Sequence, residues 1–102
     1  MTTPDEAFAL LRDRFLMRCR DQLAALKAIA DGGGPLSSST DSSDLLKIAH
    51  SLAGAGGTFG FPDISARASD LETLLIADHD ADAGAVWHAL QALILEIEHE
   101  VA

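Results

Sequence analysis

The sequence predicts an all-α protein folded as an antiparallel up-and-down four-helix bundle. Three observations lead there. Apolar residues make up 48% of the chain, yet aromatics reach only 5% and Tyr is absent, so Ala and Leu, which favour helices over sheets, supply most of the apolar surface. Apolar positions recur at three-and-four spacing through four segments, and no strand-like alternation competes with them. Clusters of Gly, Pro and polar residues separate the segments. At 102 residues the chain is expected to be a single domain over residues 1–102 with one core.

The first segment runs from Thr3 to Ala30, with Pro4 in its first turn and Phe8, Leu11, Phe15, Cys19, Leu23, Leu26 and Ala30 as its inward stripe. Gly32-Gly33-Gly34-Pro35 stops it, and Ser37-Ser38-Ser39-Thr40 extends the break into a flexible connection over about 31–40. The second helix should begin near Asp41 to Ser43, where side chains can cap its first amides. It continues through Leu45, Ile48, Ala49, Leu52, Gly56 and Phe59, and Gly60 is placed to end it. Pro62 suits the first turn of the third helix, whose stripe is Ile64, Ala68, Leu71 and Leu75, up to the acidic turn Asp78-His79-Asp80. The fourth helix starts at about Asp82 and turns Val86, Leu90, Leu93, Ile97 and Val101 inward, with Trp87 and Ile94 beside them. None of the four can bury its stripe alone, which is what a bundle solves.

Charge and composition narrow the function classes. The formal charge is −9, and residues 61–102 carry nine acids against the single cation Arg67, so nucleic acid is not an expected partner. Arg12, Arg14, Arg18, Arg20 and Lys27 form a basic patch on the first helix. A lone Cys19 in an apolar stripe reads as a small hydrophobe. No basic leader and no apolar run of membrane-spanning length is visible, so a cytoplasmic protein with no membrane partner is expected, and a monomer.

On a helical wheel at ~100° per residue with Leu45 at zero, the apolar stripe of the second helix lies near 0° and His50 near ~140°, pointing outward. Ser43, Lys47, Gly54 and Gly57 share that face, making an open surface of low relief around the imidazole. Glycine inside a helix costs roughly 0.8–1 kcal/mol relative to Ala. Close helix packing accounts for the inward Gly56, whereas Gly54 and Gly57 flank an exposed His and let another protein's backbone approach the ring. A neutral imidazole nitrogen is a competent nucleophile toward phosphorus. Phosphoryl transfer needs in-line access and charge stabilisation more than bond-making groups, and Lys47, one turn before His50, could supply a point charge.

At these residues the sequence resembles the histidine phosphotransfer (HPt) family, whose pattern is His, any residue, Leu, Lys, Gly, five residues and Gly. Here it reads His50-Ser51-Leu52-Ala53-Gly54-Ala55-Gly56-Gly57-Thr58-Phe59-Gly60. Leu45-Leu46-Lys47-Ile48-Ala49 and the stretch from Ile64 to Leu71-Glu72 also look like the family's helical pair. The resemblance implies that His50 accepts a phosphoryl group from the aspartate of a receiver domain and passes it to another receiver. It also implies a hybrid sensor histidine kinase as a partner, with no cofactor of the chain's own because Mg²⁺ belongs to the receiver. Carried over by position, Gly54 is the small residue beneath the docking partner, and Leu52 and Gly60 are structural. Ala53 departs from the pattern's Lys, and Lys47 is expected to replace its charge in part.

Leu46 and Ala53 border the His face, where an apolar rim for the partner and ordinary partial burial both fit; Arg67 and Asp70 could face the same partner. His79, His88 and His99 lack Cys partners or a second His at i+4, so no metal site is expected. The Gly-rich stretch fails as a nucleotide loop, because Phe59 stands where a third Gly is needed and no Lys-Ser or Lys-Thr follows. Ser51 beside His50 does not indicate a hydrolase, since no orienting acid is identifiable. The expectation is a phosphoryl carrier without autonomous enzyme activity. A docking module of HPt shape that carries no phosphate is the alternative, raised by Ala53, and the length suits a free-standing protein.

Overall fold

A computed structural model describes residues 3–32, 39–77 and 83–101, with the side chains of 39–41 excepted. Its four helices are α1 (Pro4–Asp31), α2 (Ser39–Thr58), α3 (Pro62–Ile76) and α4 (Ala83–Val101). Most of the expected 31–40 connection and the Asp78-His79-Asp80 turn lie outside the described residues.

Local chemistry sets the helix ends. Thr3 caps α1 by accepting the Glu6 amide at 3.1 Å, and Pro4 occupies the first turn, where its missing N–H costs nothing. Gly32 closes that helix by donating to the Ala28 carbonyl at 2.9 Å. α2 begins at Ser39, earlier than the Asp41 to Ser43 start read from the sequence, because Ser and Thr are adequate in a helix's first turn as well as at its cap. Its C-terminus follows the Schellman pattern: Gly60 sits at φ 84°, and the Phe61 amide turns back to the Gly56 carbonyl at 2.8 Å.

Cross-helix contacts fix the topology. Lys27 pairs with Glu98 and Arg20 with the Val101 carbonyl, so α1 and α4 run in opposite directions. Phe15 meets Phe59 at one end of the α1–α2 pair while Ile29 and Ile48 share a groove at the other, again antiparallel. Ser65 lies against Gly57 and Glu72 against His50, while Arg67 faces Glu96 and Asp63 shares a hollow with His99, which makes α2–α3 and α3–α4 antiparallel too. The result is an up-and-down ring in which α4 closes on α1.

The core is the set of inward stripes. Leu26, Leu45, Leu52, Ile64, Leu71, Leu90, Leu93 and Ile97 are fully buried, with Cys19 among them. Burial pushes the Cys19 thiol from 9.0 up to about 11, against a smaller opposing pull from Arg18, so it stays protonated at neutral pH as a small hydrophobe. Two expected core residues are instead exposed, Phe8 at 45% and Leu11 at 46%. With Arg20 already opposite the end of α4, the α1 residues before Phe15 run past the bundle, and all of Pro4–Arg14 is exposed. Ile29, outside the expected stripe, is buried, while Ala30 is only half-buried.

α2 and α3 approach most closely at Gly56. A Cβ there would lie 3.0 Å from the Ser65 amide nitrogen and 3.3 Å from the Phe61 carbonyl oxygen, both backbone atoms that cannot swing aside. Gly56→Ala should therefore destabilise the bundle by roughly 1–3 kcal/mol despite Ala's better helix propensity. Urea unfolding reads it, and an unchanged or raised midpoint would show that the helices separate freely.

Candidate functional site

His50 stands on the outer face of α2 with its side chain 79% exposed, as its place on the wheel requires. The ring is not isolated. Its Nδ1 hydrogen-bonds the Glu72 carboxylate, which reaches across from α3 and is itself only 21% exposed. A carboxylate accepts, so Nδ1–H is the donor, and in the neutral ring this tautomer leaves the lone pair on Nε2. Nε2 makes no hydrogen bond among the described residues.

The α2–α3 seam explains why Glu72 arrives there. Gly56 lets the α3 backbone close in, and the Ser65 hydroxyl donates to the Ala53 carbonyl at 2.6 Å, so α3 is fixed against α2 at Ser65. Glu72 lies seven residues further on the same face of α3, and the antiparallel run carries it back along α2 to its middle, where His50 is. Glu72 is the site residue that the sequence reading missed as a functional group. Its place in the Ile64 to Leu71-Glu72 stretch and its helical spacing from Ser65 are the sequence signals, and they single it out only once the register of α3 on α2 is known.

The same observation corrects the statement that no orienting acid accompanies the His. Glu72 is such an acid. A hydrolase still does not follow, because Ser51 is half-buried and no hydrogen bond joins it to His50 among the described residues.

The glycines divide as expected. Gly54 is exposed and a Cβ on it would meet nothing within 4 Å; Gly57 is exposed, with only the Ser65 hydroxyl at 3.5 Å, an ordinary contact. Neither glycine is required by packing. Lys47 is exposed one turn before His50 and makes no ion pair or hydrogen bond among the described residues. It lines a groove of about 430 Å³ between α1 and α2 with Ala25, Ala28, Ile29, Asp44 and Ile48. Lys47 thus lies toward α1 and the His50–Glu72 pair toward α3, on opposite shoulders of one face.

Leu46 and Ala53 are half-buried, and Ala53 packs against the core while its carbonyl holds Ser65. Arg67 points away from the site: its Nε lies 3.9 Å from Glu96 of α4. Asp70 is exposed on α3. His88 and His99 are exposed on α4, and His99 borders a hollow with Asp63, Leu95 and Glu96; His79 lies outside the described residues. Among the described residues no three His, Cys, Asp or Glu side chains converge as a metal site, and no helix is long and apolar enough to cross a membrane.

Because its added methyl group meets open space, Gly54→Ala should stabilise α2 by up to about 1 kcal/mol. Urea unfolding should show a higher midpoint, and a lower one would mean that the position is constrained from within the chain.

The family model of the Hpt domain matches residues 10–101. No curated protein and no solved structure matches the chain.

Proposed function

The chain belongs to the Hpt domain family, and on that premise we propose that it is a phosphorelay carrier whose His50 takes a phosphoryl group from a receiver-domain aspartate and gives it to another receiver. The observation that carries this reading is the ring itself: largely exposed, held at Nδ1 by Glu72, open at Nε2, and followed by bare backbone at Gly54 and Gly57.

The Nε2 lone pair attacks the phosphorus of the aspartyl phosphate. The N–P bond forms as the bond from phosphorus to the aspartyl oxygen breaks, and the aspartate leaves as a carboxylate. The imidazole gains positive charge in this step, and the Nδ1–H that shares it faces the Glu72 carboxylate, which stabilises the charge without taking the proton away. Glu72 is accordingly a positioning residue. Mg²⁺ belongs to the receiver's side of the reaction. Delivery to the second receiver is the same displacement in reverse, so no group of this chain is consumed.

Incubation with a phosphorylated receiver domain tests the proposal. The chain should acquire an acid-labile, alkali-stable phosphate that is lost in His50→Gln, whereas a docking module of the same shape, the alternative that Ala53 raises, binds the receiver and stays unlabelled. Glu72→Ala removes a charge-assisted hydrogen bond of about 1.5–3 kcal/mol, so transfer should slow by roughly 10- to 100-fold. Glu72→Gln, which keeps an acceptor for Nδ1–H but not the charge, should fall between. Wild-type transfer in Glu72→Ala would take the carboxylate out of the mechanism.

Lys47 is the nearest candidate for the charge that Ala53 lacks. An exposed cation contributes up to about 1 kcal/mol, so Lys47→Ala should slow transfer by no more than about fivefold. Unchanged kinetics in a rapid-quench measurement would confine Lys47 to its groove.

A further inference from the structure

α1 leaves the bundle with its apolar stripe still running. α2 ends beside Phe15, where Phe59 meets it, and α4 ends opposite Arg20. Phe8 and Leu11 continue the line of Phe15, Cys19 and Leu26 along one face of α1, yet they remain 45% and 46% exposed. Phe59 approaches Phe8 at 6.2 Å between ring centroids, and every residue from Pro4 to Arg14 is exposed.

Whatever covers this stripe must suit its charges. α1 holds five acids, Asp5, Glu6, Asp13, Asp21 and Asp31, against its five cations, so it is not the basic patch read from the sequence but a neutral helix. The rest of the chain carries the whole net charge of −9, and two copies therefore repel one another least along α1. The flank of the stripe is also ordered by sign. Asp5 and Arg12, seven residues apart, lie on the same side of Phe8 and Leu11, acid first and cation second. Neither side chain makes an ion pair or hydrogen bond among the described residues; Arg12 lies over the Phe61 ring, 4.6 Å from its centroid. A helix whose charge changes sign along one flank is complementary to a reversed copy of itself.

We infer that the chain forms a two-fold dimer in solution, not the monomer expected from the sequence, in which the Pro4–Arg14 segments of two copies pack antiparallel. With the axis beside Leu10, Phe8 of each copy meets Leu11 of the other. A two-fold axis sets each flank of the stripe against itself, so Asp5 of each copy comes beside Arg12 of the other. The overlap is about 16 Å of helix on each side, and it ends where the first turn of one copy reaches Phe15 and Phe59 of the other. Such a contact is small, and the dimer is accordingly a weak one. His50 lies alongside the other end of α1, near the groove of Ile29 and Ile48 and roughly 20 Å along the axis from Arg14, so both rings stay open. The inference goes beyond the carrier reading and stands without it.

Sedimentation equilibrium at low salt tests the pairing. The wild-type chain should approach twice its monomer mass at ~0.5 mM and return to the monomer mass near ~5 μM, as a small interface requires. Asp5→Arg and Arg12→Glu each make both ion pairs repulsive, and each variant alone should associate at least about tenfold more weakly, although Asp5→Arg lowers the net repulsion between chains. An equimolar mixture of the two variants restores opposite charges at both contacts and should recover the wild-type constant within about threefold. Circular dichroism checks that both variants fold. A monomer mass for the wild-type chain at ~0.5 mM, undiminished association of either variant, or a mixture that stays monomeric overturns the dimer. Labelling of His50 by a receiver is unaffected by any of these outcomes and bears on the carrier reading alone.

Discussion

The approach of α3 to α2 at Gly56 is the constraint on which the rest of the structure depends. A side chain there would strike main-chain atoms of Phe61 and Ser65, so the glycine sets the separation of the two helices. With that separation fixed, the Ser65 hydroxyl reaches the Ala53 carbonyl, and two turns further on Glu72 reaches His50. A site that looks like one exposed residue is therefore the last rung of a seam, and its geometry depends on packing that begins several residues away. The helix-propensity cost of Gly56 offsets nothing locally; what it secures is the register between two helices.

The second organising fact is unequal length. α1 has 28 residues, whereas α2, α3 and α4 have 20, 15 and 19, so α1 has no full set of neighbours at its N-terminal end. What remains there is an aromatic cluster in which Phe15 bridges Phe59 and Phe61, with Phe8 outermost. Burial fades along α1 from Cys19 outward, although the sequence spacing continues unbroken to Phe8.

That contrast shows what was legible in the sequence. The helices, the Gly60 terminator, the outward His50 and the different roles of Gly54 and Gly56 all follow from periodicity and backbone chemistry, which are local. Phe8 and Leu11 were misread as core, because periodicity says which face is apolar and not whether a neighbouring helix extends far enough to cover it. Glu72 escaped because Asp63, Asp70 and Glu72 look alike along the chain, and only the register between helices singles one out. The partners of Arg20, Lys27 and Arg67 were hidden for the same reason.

The hold of Glu72 on one ring nitrogen bears on product identity as well as rate. Imidazole offers two positions for phosphorylation, and the resulting regioisomers are distinct compounds with different lifetimes in water. With Nδ1 occupied, the π-phosphohistidine isomer could form only after the carboxylate let go, so a phosphorylated form of this chain would be the τ isomer throughout.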